Sequence, residues 1–220
     1  MLDPETMPFP LVTSRIVIGG RAWQITAVQN QEALLDAVDT LENMPYGFLL
    51  WESAIGLGRY LAANPALVAD RQALELGCGV GLVGLIARRL GARVRQTDHQ
   101  PGVLALARRN AAQNAVHGIE QFLADWRHWE HTERYDLLLG ADILYERAMH
   151  PYLERIFRAN LAPQGALLLS DPVRPQALEF TSQLEKAGWS IALETIEVQL
   201  EESGRQNRAV EVALWIGTLP

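Results

Sequence analysis

The segment Ala73-Leu74-Glu75-Leu76-Gly77-Cys78-Gly79-Val80-Gly81-Leu82 constrains this chain more than any other. It reads as a buried strand, a glycine turn and the start of a helix that runs to about Leu90. Glycine lets the main chain approach a ligand closely, and the N–H groups of a helix N-terminus face that ligand. A second apolar run, Ala92 to Thr97, ends on Asp98. A carboxylate at the tip of that second strand can accept hydrogen bonds from two ribose hydroxyls. The combination predicts an adenosine-containing cofactor.

The glycines alone do not choose among such cofactors. Gly79, Gly81 and Gly84 spell G-x-G-x-x-G, and Asp98 follows at the spacing of about 20 residues expected of a dinucleotide site. Glu75 speaks against a dinucleotide, because a carboxylate below the turn repels a pyrophosphate. S-adenosylmethionine has no phosphate and carries a sulfonium and an ammonium, which acids attract. The alternative for Glu75 is a cap on a main-chain group.

The rest of the chain alternates strands and helices. Arg15 to Ile18 and Arg21 to Val28 flank Gly19-Gly20 as a hairpin, and Gln31 to Leu41 has helical spacing with Asn30 as N-cap. Helices are expected over Ala54 to Ala63, from Pro101 to about Ala115, over Arg147 to Leu161 and over Pro175 to Ala187. The strands of the main body are Ala73 to Leu76, Ala92 to Thr97, Ile119 to Ala124, Tyr135 to Leu139, Ala166 to Ser170, Trp189 to Gln199 and Arg208 to Ile216. The last two are joined by the polar loop Glu202 to Asn207, with no helix between them. The expected fold is α/β: a Rossmann-like seven-stranded, mostly parallel sheet with helices on both faces and a C-terminal antiparallel hairpin. Residues 1–43 are expected to be an N-terminal hairpin-and-helix extension, too short for a core of its own, and 44–220 the main domain. Ligands of such sheets bind at the C-terminal ends of the strands.

The glycine segment resembles motif I of the seven-strand, S-adenosylmethionine-dependent methyltransferases, a class I fold. Trp51-Glu52-Ser53-Ala54 before a helix, Asp125-Trp126 after the third strand and Gly140-Ala141-Asp142-Ile143-Leu144-Tyr145 after the fourth narrow the resemblance. Together they are similar to the methyltransferase-like (family 16) protein lysine methyltransferases, which carry D-x-x-Y after strand four. The resemblance covers roughly Pro45 to Trp189 and implies methyl transfer from S-adenosylmethionine to a lysine of a protein substrate. The alternatives are a small-molecule amine N-methyltransferase and a non-catalytic S-adenosylmethionine-binding scaffold.

On this resemblance Trp51, Glu75, Gly77, Cys78, Gly79, Asp98, Asp125, Trp126 and Ala141 border the cofactor. Trp126 would lie against the adenine, with Asp125 accepting from its amino group, and Trp51 would close the pocket. The alternative for Trp126 is a core residue, and for Asp98 a cap on the turn before Pro101. Asp142 and Tyr145 form the acceptor side: Asp142 orients the incoming amine and Tyr145 walls the channel. Their alternatives are a helix cap and a core residue. N-P-P-Y is absent after the fourth strand, which lowers planar amide or exocyclic nitrogens as acceptors. Arg174, in Asp171-Pro172-Val173-Arg174-Pro175, is a candidate for substrate contact or a structural ion pair.

Composition narrows the rest. With 220 residues, 49% of them hydrophobic, the chain is large enough for a substantial core. No apolar run is long enough to span a bilayer, and Met1 to Pro10 is acidic and proline-rich, unlike a signal peptide. Cys78 is the only cysteine, so no internal disulfide forms and a cytoplasmic location is expected. A formal charge of −7 disfavours nucleic acid as a partner and suits a basic one. His128 and His131 with Glu130 lack the convergent spacing of a metal site, so none is expected. A monomer is the expected state.

Overall fold

A computed structural model describes residues 9–35, 45–200 and 208–219. The main sheet has seven strands: β3 (Gln72–Leu76), β4 (Arg93–Asp98), β5 (Glu120–Leu123), β6 (Tyr135–Ala141), β7 (Leu161–Asp171), β8 (Ser190–Leu200) and β9 (Arg208–Thr218). Their order across the sheet is β5-β4-β3-β6-β7-β9-β8. Neighbours from β5 to β7 are parallel, and β9 is antiparallel to both β7 and β8. The order reverses at β3, between β4 and β6, which opens a crevice at the strands' C-terminal ends.

Because both faces of the sheet are covered, the central strands β3 and β6 are buried at nearly every position and send alternate residues to opposite sides. Ala73 of β3 and Leu137 and Leu139 of β6 pack with α2 (Glu52–Ala63) and α3 (Leu82–Arg89). Leu74, Leu76 and Leu138 pack with α5 (His150–Asn160) and α6 (Pro175–Lys186). The remaining long helix, α4 (Pro101–Gln113), starts on its proline, whose fixed φ and missing N–H suit a first helical turn.

The N-terminal hairpin is β1 (Leu11–Ile18) paired antiparallel to β2 (Arg21–Val28), so its first strand begins four residues before the expected Arg15. Trp23 and Ile25 of β2 join the same apolar cluster as α2 and α3. The hairpin is fastened to α4 by side-chain amides. Asn110 Oδ1 accepts from the Thr26 N–H at 2.9 Å, and Asn110 Nδ2 donates to the carbonyls of Thr26 and Val80 at 3.0 and 2.9 Å. Asn30 caps α1 (Gln31–Leu35) by accepting from the Ala33 N–H at 2.8 Å. That helix is described over Gln31–Leu35; its expected continuation to Leu41 and the loop Glu202 to Asn207 lie outside the described residues.

The helix expected over Arg147 to Leu161 is split. A single turn of 3-10 helix, Arg147–Met149, leads into α5 at His150, whose successor Pro151 supplies a first-turn proline. The fifth main-body strand is longer than Ala166 to Ser170: β7 begins at Leu161 and its register against β6 shifts between Tyr135 and Leu137. Among the described residues no helix is long and apolar enough to cross a membrane.

Candidate active site

A cavity of about 450 Å³ opens at the C-terminal ends of β3, β4 and β6. That volume is within the range of small-molecule sites, about 300–1,000 Å³. Of the residues expected there from sequence, Trp51, Gly77, Gly79, Asp98, Asp125, Trp126, Ala141, Asp142 and Tyr145 line it, and Glu75 and Cys78 do not.

The glycine turn forms the floor. Gly77 has φ +60° and Gly79 φ +52°, where an L side chain is strained. A Cβ on Gly77 would stand 2.9 Å from Ile143 Cγ2 and 3.2 Å from the Trp126 ring. The Trp126 ring therefore packs across the turn and lines the cavity, rather than sinking into the core. A Cβ on Gly79 would stand 3.2 Å from the carbonyl oxygen of Gly47. Gly47 belongs to the 3-10 turn Tyr46–Phe48, which roofs the glycine loop. The sequence places Tyr46 and Gly47 only just inside the boundary of the main domain, 44–220, and not among the expected site residues. Tyr46-Gly47 before the Trp51 helix was the missed signal: the Trp51 indole N–H donates to the Tyr46 carbonyl at 3.1 Å, which ties roof to wall.

Asp98 is 5% exposed. Its Oδ2 accepts from the Gly79 N–H at 3.2 Å and its Oδ1 from the Gln100 N–H at 3.1 Å. The cap before Pro101 and the position beside the glycine loop thus coexist on one carboxylate. A carboxylate accepts about four hydrogen bonds. Main-chain donors and His99 use part of that capacity, and what remains fits ribose hydroxyls. Burial pushes the Asp98 carboxyl up from its ordinary value, while His99 and the main-chain donors pull it back. His99 also lines the cavity, with Nδ1 3.4 Å from Asp98 Oδ1.

Glu75 corrects the sequence reading. It is 2% exposed and its Oε2 accepts from the Gly84 N–H in α3 at 2.9 Å and from Gln96 Nε2 at 2.7 Å. Buried without a cation, its carboxyl is pushed up to about 8 by desolvation. Glu75 caps main chain behind the turn and does not line the cavity. Cys78 packs its side chain onto Leu104 and Ala107, away from the cavity, which leaves only its main chain for the contact expected of it. Asp125 lines the cavity, but its carboxylate is already held by the Arg127 guanidinium at 2.7–3.1 Å, which keeps its carboxyl far below the usual range. His128 faces Asp125, whereas His131 bonds the Tyr135 hydroxyl, so the two histidines have separate partners.

The acceptor side lies across β6. Ala141 ends that strand opposite Ser170 of β7. Asp142 follows with φ +60°, a strained value for a residue with a side chain, and its N–H donates to the Ser170 carbonyl at 2.8 Å. Asp142 is 8% exposed, and its Oδ1 accepts from Arg174 Nη1. Its Oδ2 and the Ser53 hydroxyl are both buried and find no partner of good hydrogen-bond geometry among the described residues, yet the hydroxyl lies close enough to lower the Asp142 carboxyl. Burial raises the Asp142 carboxyl to about 6, against the opposing pull of Arg174. Tyr145, 42% exposed, meets the Tyr46 ring edge-on at 6.0 Å between centroids, so two phenols wall this end.

A mostly parallel sheet with a reversed strand order, a backbone cradle of left-handed glycines and a strand-tip carboxylate define a Rossmann-like site for an adenosine-containing cofactor, and the family match identifies that cofactor as S-adenosylmethionine and the class as a methyltransferase. The sequence profile of the lysine methyltransferase family matches residues 29–187, and the chain belongs to that family. It is 31% identical over 148 residues to protein N-lysine methyltransferase METTL21A of Xenopus tropicalis, covering 66% of this chain and 69% of that one. It is 28% identical to histone-arginine methyltransferase METTL23 of Xenopus laevis, covering 59% and 58%. With protein-lysine N-methyltransferase EFM3 of Chaetomium thermophilum it shares 32% identity, covering 69% and 51%. The chain therefore spans between half and about two thirds of these relatives' lengths. Among solved structures, the glycopeptide N-methyltransferase MtfA matches with a TM-score of 0.59 at 16% identity, covering 76% of this chain and 97% of that one. The precorrin-6y C5,15-methyltransferase of Geobacter metallireducens gives a TM-score of 0.58 at 14% identity, covering 72% and 87%. At such identities these two show the fold alone.

Proposed function

We propose that this enzyme methylates the side-chain amine of a lysine in a protein substrate, with the cofactor ribose on Asp98 and the acceptor amine entering between Asp142 and Tyr145. The observation that carries this reading is Asp142: a nearly buried carboxylate at the wall of the same cavity that Asp98, Gly77 and Tyr145 line. When bound, S-adenosylmethionine supplies an electrophilic methyl group on a cationic sulfur. The acceptor nitrogen forms the new bond to that carbon as the carbon–sulfur bond breaks, and the nitrogen's extra proton leaves to water.

The chain's own residues align and desolvate. Near neutral pH Asp142, with its carboxyl at about 6, is mostly ionised and attracts the lysine ammonium. It is a poor base for that group, whose ordinary pKa is about 10.4. Its role is orientation; desolvation among Tyr46, Tyr145 and Trp51 lowers the amine's pKa so that the neutral form is populated. The aromatic faces also suit the cation before it loses its proton.

Relatives named for both lysine and arginine methylation make the acceptor a real choice. A guanidinium prefers both oxygens of a carboxylate. Asp142 already gives one oxygen to Arg174, which supports an amine acceptor. Residues 44–220 serve in this reading as the transfer domain and 1–43 as an extension. The single cysteine supports a reducing, cytoplasmic location, and the acidic charge supports a basic protein surface rather than nucleic acid or membrane as partner; a monomer is the state we propose.

The test is a cell lysate incubated with methyl-labelled S-adenosylmethionine and either wild type or Asp98→Ala, followed by hydrolysis of any labelled protein. Methyl-lysine formed only by the wild type is expected. Label in arginine, or only in small molecules, would replace the acceptor assigned here.

A further inference from the structure

Two buried carboxylates share one guanidinium at the end of β7. Asp171 and Asp142 side chains are 0% and 5% exposed, and Arg174 is 26% exposed. Arg174 Nη1 donates to Asp142 Oδ1 and, at 2.7 Å, to Asp171 Oδ2. The Arg174 N–H donates to Asp171 Oδ1, also at 2.7 Å. Arg174 itself does not line the cavity. The backbone is strained on both sides of this cluster, with Val173 at φ +61° and Asp142 at φ +60°. A β-branched residue adopts that region only where the surroundings force it. The neighbouring Ser170 hydroxyl donates to the Ser53 carbonyl at 2.9 Å, which fixes the first turn of α2 to the same corner.

We propose that Arg174 is a positioning residue for methyl transfer: anchored on Asp171, it takes one oxygen of Asp142 and holds that carboxylate ionised and fixed at the cavity wall, as the negative charge that orients the acceptor amine. This rests on the acceptor side assigned above. Two carboxylates and one guanidinium leave one negative charge without a partner, and buried charges are otherwise paired. The missing cation is the acceptor. The groups facing Asp142 are Arg174, which lowers its carboxyl, Asp171, which raises it, and the Ser53 hydroxyl, which lowers it. Tyr145 from the loop after β6 also feels its charge. Removing Arg174 and removing the charge of Asp171 must therefore move Asp142 in opposite directions, which a purely structural ion pair elsewhere in the corner would not do.

The test follows the Asp142 carboxyl by carbon-13 NMR in wild type, Arg174→Gln, Arg174→Lys and Asp171→Asn, with Asp142→Asn assigning the signal and thermal unfolding confirming each fold. In parallel, the pH dependence of kcat/KM is measured on the methylated substrate. The midpoint is expected to rise by about one to three pH units in Arg174→Gln, as the loss of an adjacent opposite charge requires. It should return most of the way in Arg174→Lys and fall in Asp171→Asn. The acid limb of kcat/KM should follow the same order, with cofactor affinity unchanged. Arg174→Lys keeps the charge, so it tests the clamp even if Arg174→Gln does not fold. A midpoint in folded Arg174→Gln equal to the wild type, or one that Arg174→Lys raises as far as complete loss of the charge would, overturns the clamp whatever the acceptor is. Wild-type protein that methylates no lysine, alongside the expected midpoints, overturns the lysine acceptor instead.

Discussion

The two halves of the cavity are built in different ways. On the β3–β4 side the ligand surface is mostly main chain: Gly77 and Gly79 in left-handed conformations, and Asp98 bonded to the Gly79 N–H. On the β6–β7 side it is side chain: Asp142, backed from outside the cavity by Arg174 and Asp171 in one ion-pair corner, with Tyr46 and Tyr145 as walls. Backbone geometry is set by sequence over a few residues and tolerates little change. Side-chain networks draw on segments far apart in the chain and can be retuned by single substitutions. The first suits a cofactor that never varies, the second an acceptor that differs between enzymes.

The largest expected effect breaks the acceptor half alone. Asp142→Asn should slow methyl transfer by roughly 100-fold, the loss of one hydrogen bond to a charged group being about 1.5–3 kcal/mol. Its cofactor affinity should stay within about twofold by calorimetry, since Asp142 lies across the turn from Asp98. A parallel loss of cofactor binding would show that the halves are not separable. Gly77→Ala strikes the other half. The left-handed backbone costs about 1–2 kcal/mol with a side chain, and the new Cβ lies 2.9 Å from Ile143. Urea denaturation should register that loss and calorimetry a weaker cofactor; an alanine tolerated in both would mean that the turn is not a tight cradle.

The smallest effect concerns Glu75. Its folded-state carboxyl, at about 8, stands above the ordinary 4.5, so its favourable contribution is complete below about pH 4.5 and is lost as pH rises through about 8. Glu75→Gln keeps an oxygen for Gly84 and Gln96 but cannot ionise. Its melting temperature should fall less than that of the wild type between pH 5 and 8, a range set by these two values. Parallel curves would remove Glu75 as the source of that dependence.

The same contrast explains what the sequence could disclose. The strand, glycine turn and Asp98 lie within one contiguous stretch, and the alternation of β6 and β7 residues between two apolar clusters follows from period-two burial. The fold and the cofactor floor were therefore legible. Glu75 was misplaced because a strand's period says which face a carboxylate takes, but not that Gly84 of the next helix offers it an N–H. The Asp142–Arg174 contact spans 32 residues and depends on how β6 and β7 align, which no local pattern encodes. Tyr46 and Gly47 reached the site through a turn that packs on Val103 and Asp98 from a distance in sequence.

Titration calorimetry of S-adenosylmethionine into wild type and Asp98→Ala, each shown to be folded, tests the cofactor placement on which both halves depend. The account predicts binding weakened roughly 100-fold or more, as expected when hydrogen bonds from two hydroxyls to a buried carboxylate are removed. Equal affinity in the two proteins would contradict it.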